Sequence, residues 1–72
     1  MPVLTAKDVQ PCAQRALAAC PVFALRDLQV EECGDTLVIR GLVASFYHKQ
    51  LAQEVVRQAA EGVEVLNSIE VL

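Results

Sequence analysis

The sequence predicts an α+β fold of order αββαβ, with two helices on one face of a three-stranded mixed sheet. Three observations carry that prediction. Leu37 to Ala60 reads as a strand, a glycine, a short extended exit and an amphipathic helix. Cys33-Gly34-Asp35 separates that strand from an earlier alternating run, as a hairpin turn does. Val63 to Val71 alternates strictly, with Val63, Val65, Asn67, Ile69 and Val71 set against Glu64, Leu66, Ser68 and Glu70. A hairpin followed by a helical crossover gives one antiparallel and one parallel strand pair, and such a crossover is right-handed.

In chain order, Met1 to Lys7 reads as a frayed lead-in and Asp8 as the N-cap of the first helix. With Asp8 as cap, Pro11 lies in the first turn, where its missing N–H breaks no helical bond. With Thr5 as cap it lies deeper and costs one. Val9, Ala13, Ala16, Leu17 and Cys20 then line a small-residue face suited to close packing, while Gln14 and Arg15 look outward. Pro21 ends the helix. Val22 to Asp27 is read as a short turn that drops Phe23 into the core. Leu28 to Glu32 forms the first strand, with Leu28 and Val30 inward and Gln29 and Glu31 outward.

Thr36 to Leu42 returns as the second strand. Leu37, Ile39, Gly41 and Val43 share one parity, and Val38 and Arg40 take the other. Ser45 caps the second helix, which starts at Phe46. Leu51, Ala52, Val55, Val56 and Ala59 fall on its buried stripe, and Gln50, Gln53, Glu54 and Arg57 face away. Gly62 is expected at the C′ position. The outer face of the sheet carries Gln29, Glu31, Val38, Arg40, Ser68 and Glu70, mixed enough to meet water.

The 72 residues make one domain, 1–72, with no linker, repeat or low-complexity stretch. A chain this short buries only about 60% of its unfolded surface. The net charge of −3 argues against duplex nucleic acid, whose binders carry a basic stripe, and against strong attraction to anionic lipid. MPVLTAKDVQ lacks a basic region followed by an apolar one, and no apolar run approaches the ~20 residues of a membrane span. A cytoplasmic location is therefore expected. Cys12 and Cys20 lie about 12 Å apart along a helix, too far for a disulfide. The three cysteines are read as buried or half-buried thiols, with an intermolecular bond through Cys33 left open. There is no C-x-x-C pair for zinc, and no cofactor is implied.

An enzyme is not expected. The chain has one histidine, no recognisable nucleophile setting and no carboxylate pair in an apolar segment. Glu31 and Glu32 flank the hairpin turn and read as solvated. A KH-type RNA-binding module needs a G-x-x-G loop and a basic groove, and neither is present.

The chain resembles the BON domain, a small bacterial module of osmotic-shock periplasmic, channel-associated and secretin-like proteins. Gly34 opens a strand, and L-x-I-x-G-x-V-x-S runs through Leu37, Ile39, Gly41, Val43 and Ser45. Lys49-x-x-Ala52 follows, then Gly62-Val63, Asn67, Ile69 and Val71, so the likeness covers about Leu28 to Leu72. Ala16-Leu17 matches the family's first helix more loosely. Two departures stand out. His48 sits where the family often has an acidic residue, and the interval from Gly62-Val63 to Asn67 is one residue shorter than usual. The resemblance implies an αββαβ fold and a non-enzymatic binding role toward phospholipid surfaces, small ligands or partner proteins.

Two readings of function follow. In the first, Ser45, Phe46, Tyr47, His48 and Lys49 at the start of the second helix hold an anionic ligand or a lipid head group. A helix N-terminus offers free amides and partial positive charge. Each residue also has a plainer role: Ser45 as a cap, His48 as a packing residue on the buried stripe, Tyr47 as a flank. Phe46 is either an exposed contact or tucked against the strand exit. In the second, Val38, Arg40, Leu42 and Leu72 on or near the open sheet face serve a protein partner or a homodimer. Open strand edges invite such pairing.

Overall fold

Alternating apolar positions on either side of Gly34 zip into a hairpin. The computed structural model describes residues 5–72. β1 (Gln29–Cys33) and β2 (Thr36–Arg40) pair antiparallel, with Val30 opposite Ile39 and Cys33 opposite Thr36. The two-residue loop places Gly34 at φ +62°, while Asp35 keeps a negative φ. That combination is the pattern of a II′ turn, which needs glycine at its first central position.

β4 (Glu64–Asn67) lies parallel to β2 on its other side, so the sheet order is β1-β2-β4. The predicted mixed sheet is present, but its third strand is divided. Ser68 and Ile69 interrupt it, and a short pair, β3 (Leu42–Val43) with β5 (Glu70–Val71), continues beyond the break. The ladder itself does not stop. The Ser68, Glu70 and Leu72 N–H groups donate to the carbonyls of Ile39, Gly41 and Val43, each at 2.9 Å. The break coincides with the end of β1, whose last pair is Gln29 with Arg40.

Gly41 sits at this bend with φ +144°, and a Cβ there would strike the Leu28 side chain. The sequence places a glycine where the chain turns and a buried leucine closes in. Leu28 itself is fully buried.

α1 (Ala6–Ala18) and α2 (Phe46–Ala59) pack on each other and on one face of the sheet. Val9, Ala13 and Leu17 meet Ala52 and Val56 over Val30, Leu37 and Ile39, with Leu25, Val43 and Ile69 closing the ends. Alanine at Ala13 and Ala52, both fully buried, lets the helices approach closely.

Several expectations are corrected. The N-cap of α1 is Thr5, not Asp8. Thr5 N–H donates to Asp8 Oδ2 at 3.0 Å, and Asp8 N–H donates to Thr5 Oγ1 at 3.3 Å. This reciprocal capping box outweighs the helical bond lost at Pro11, which lies inside the helix. Hydrogen bonds from the Thr5 backbone and then its hydroxyl hold the Asp8 carboxyl below its ordinary value. Of the supposed lead-in, residues 1–4 lie outside the described residues, while Ala6 and Lys7 are helical and Ala6 is buried.

Phe23 does not enter the core. A 3-10 turn, Phe23–Leu25, buries Leu25 instead and leaves Phe23 76% exposed beneath the Arg26 guanidinium, 4.2 Å from the ring centre. Cys12 and Cys33 are exposed, and only Cys20 is half-buried. Gly62 carries the positive φ, +87°, but two residues past the Ala60 cap rather than one.

Gln14, expected outward, faces β1. Its Oε1 accepts from Val30 N–H at 2.8 Å, and its Nε2 donates to the Leu28 carbonyl at 2.9 Å. Gln10 Nε2 donates to the Val30 carbonyl at 2.7 Å. Val30 belongs to a β1 position whose main chain points away from β2, so α1 covers that part of the edge with side-chain amides.

Gly41→Ala is expected to cost more than about 2 kcal/mol in urea unfolding, through backbone strain and overpacking against Leu28. Gly34→Ala, strained but unobstructed, should cost about 1 kcal/mol. Gln14→Ala should lower stability by about 1–3 kcal/mol, because it leaves a part-buried Val30 N–H without a partner. Equal losses at Gly41 and Gly34, or no loss at Gln14, would contradict these contacts.

Candidate functional site

A parallel β-α-β unit places its helix start beside the carboxyl ends of its strands, and that end gathers most of the candidates. Ser45 takes extended geometry and caps α2 as expected: its Oγ accepts from His48 N–H at 3.2 Å. The same oxygen lies 3.1 Å from His48 Nδ1. A bare Nδ1 accepts the hydroxyl proton, and a protonated Nδ1 donates to the hydroxyl oxygen. Nε2 carries a proton in the first case, whereas in a neutral ring protonated on Nδ1 it is a bare acceptor. Nε2 has no partner among the described residues, and no buried side-chain nitrogen or oxygen there lacks one, so Nε2 reaches solvent.

The serine thus holds the imidazole with Nε2 turned to solvent. The amides of Phe46 and Tyr47 precede the capped His48 amide and are the unsatisfied donors of the first turn. Lys49 is half-buried, its N–H bonded to the Ser45 carbonyl at 3.3 Å. Phe46 is 60% exposed and Tyr47 67% exposed. Phe46 is therefore exposed rather than tucked against the strand exit. The Tyr47 ring is tilted 55° to that of His48, with centroids 5.6 Å apart.

The interaction-surface candidates divide. Leu42 on β3 and Leu72 just beyond β5 join the α2 start, because β3 leads into the helix and β5 pairs with β3. Both are exposed, as is Val71. Val38 does not serve as an open apolar contact. It lies on the outer face of the central strand but is only 6% exposed, flanked by Glu31 on one side and Leu66 on the other. Arg40 is exposed and bonds Glu31 across the hairpin at 3.1 Å, a solvated ion pair that contributes little.

Asn67, in the sequence a position of the strand alternation and of the family likeness, has a mechanical role. Its Nδ2 donates to the Lys49 carbonyl at 2.8 Å and to Gln53 Oε1 at 3.2 Å, while its Oδ1 accepts from Ile69 N–H at 3.2 Å. It fastens the first turns of α2 to β4 at the point where the ladder bends. The strand alternation put Asn67 on the helix side, which was the available signal. Gln53, expected to face away, is half-buried through this bond.

No family model matches the chain, and neither does any curated protein or solved structure. Among the described residues no three His, Cys, Asp or Glu side chains are grouped to hold a metal, and no helix is long and apolar enough to cross a membrane. A shallow, open depression lined by Gln50, Gln53, Glu54 and Arg57 runs along the outer side of α2, beyond the capped end.

Asn67→Ala is expected to lower stability by about 2 kcal/mol. Asn67→Asp should be no better, because it keeps an acceptor for Ile69 but sets a carboxylate against the Lys49 and Gln53 oxygens. Full retention of stability by Asn67→Asp, measured by urea unfolding, would contradict this role.

Proposed function

We propose that this chain is a non-enzymatic, BON-like binding module that engages a phospholipid surface through the start of α2 and the adjoining strand ends. The observation that carries the reading is the concentration of exposed apolar groups beside unsatisfied donors. Leu42 on β3, Phe46 and Tyr47 at the start of α2, and Val71 on β5 with Leu72 after it are all exposed. Exposed apolar groups gathered at one end of a small protein mark an interaction site. Aromatic side chains suit an interface that is apolar on one side and wet on the other.

The polar groups at this end favour anions. Two free amides, the helix dipole, the Lys49 ammonium and, with its proton on Nε2, the His48 ring act together on a phosphate. Glu70, opposite Leu42, opposes them, and so does the overall charge of −3. Apolar burial is therefore the main driving force, with head-group contacts as the selective part.

The test is vesicle flotation with neutral and anionic lipids at low and moderate salt. Binding to anionic vesicles, weakened by salt, is expected. Phe46→Ala with Tyr47→Ala should reduce it about tenfold or more, since each buried aromatic contributes ~1.5–3 kcal/mol. His48→Ala with Lys49→Ala should reduce the preference for anionic lipid without unfolding the domain. Absence of flotation under every condition would overturn the reading.

A further inference from the structure

The two edges of the sheet differ at Val30 and Val65, although Glu32, the other outward position of β1, also lacks a side-chain partner among the described residues, and the difference points to a partner at β4. On β1 the outward main-chain groups of Val30 are occupied by Gln14 and Gln10, as is the Leu28 carbonyl by Gln14. β4, the other edge, has no such cover at Val65. Ser68, Glu70 and Leu72 donate inward along the parallel ladder. By the same alternation Val65 and Asn67 turn both N–H and C=O to the free side. Among the described residues no side chain bonds to those groups. Beside them Leu66 is 54% exposed on the outer face.

We infer that β4 pairs antiparallel with β4 of a second copy of this chain, about a two-fold axis at Leu66, to give one continuous sheet. Register and charge select this occupant. Only residues whose main chain faces outward can exchange bonds, so the axis lies at Val65, Leu66 or Asn67. An axis at Asn67 sets Glu64 directly opposite the partner's Glu70, a like-charge pair that destabilises a sheet. An axis at Val65 sets Leu66 against a carboxylate and brings the two Glu64 side chains into diagonal contact. The axis at Leu66 avoids both. It stacks Leu66 on its counterpart, sets Glu64 opposite Ser68, and bonds Val65 to Asn67 twice. The edge is thus self-complementary in one register, as an isologous dimer requires.

The surface is separate from the end that the lipid reading uses. The test is native mass spectrometry together with sedimentation over a concentration series reaching about 1 mM. The intact chain is expected to reach twice its monomer mass. Leu66→Lys places two ammonium groups at the axis and should weaken the dimer about tenfold or more. Val65→Pro removes an N–H that the monomer does not use and should do the same, with circular dichroism showing that each variant is folded. Leu66→Cys, in a chain whose three native cysteines are serine, should cross-link to its counterpart on oxidation. A chain monomeric throughout the series overturns the proposal. So does a dimer that survives both Leu66→Lys and Val65→Pro, which is then held elsewhere. Failure of the cysteine to cross-link contradicts the register. Flotation of Leu66→Lys should equal that of the intact chain, so failure here leaves the lipid reading standing.

Discussion

The structure depends on one pairing: Thr36–Val43 lying parallel to Glu64–Val71 along a ladder bent at Gly41. Parallel strands need a crossover, and α2 is that crossover. Once it is made, α2 must start at the carboxyl end of the pair and return across the face that holds Leu37 and Ile39. The bend is needed because β1 stops opposite Arg40. Beyond it the pair has no third strand, and Leu28 packs where a side chain on residue 41 would stand. A glycine is the only residue that meets both demands, a positive φ and no Cβ.

From that pairing the candidate site follows. The ladder carries Leu42 and Val71 past the covered part of the sheet, and Ser45 starts α2 directly after it. The exposed aromatics, the free amides and the His48 ring thus collect at one end as a consequence of topology. Asn67 holds this arrangement together by joining the bend in β4 to the first turns of α2. The edges follow too. α1 packs beside β1 and its two glutamines satisfy that edge at Val30, whereas α2 covers the face of β4 and leaves its edge bare at Val65.

Much of this was legible in the sequence, for local reasons. Ser45 before an apolar stripe, Gly34 between alternating runs and the Leu37-Ile39-Val43 parity each state their structure within a few residues. What was illegible depends on partners far away in sequence. Gln14 reads as solvated until β1 is beside it, where it satisfies the Val30 N–H and the Leu28 carbonyl. Val38 alternates outward, yet its exposure is decided by Glu31 and Leu66 on the flanking strands. Phe23 and Leu25 compete for one core position, and the 3-10 turn decides between them. The Thr5 cap was missed by weighing the cost of Pro11 alone against no gain, when the reciprocal bonds with Asp8 supply one. The site residues from Ser45 to Lys49 were found as a segment, but the end they share with Leu42 and Leu72 required the strand pairing.

Amide hydrogen exchange on dilute protein tests the central claim most directly, because it reads the ladder and both edges at once. Continuity past Gly41 predicts strong protection of Ser68 and Glu70, whose N–H groups bond to Ile39 and Gly41. The closed edge predicts protection of Val30, and the open edge predicts rapid exchange at Val65 and Asn67. Rapid exchange at Glu70 or Val30, or protection of Val65 in the monomer, would contradict the account.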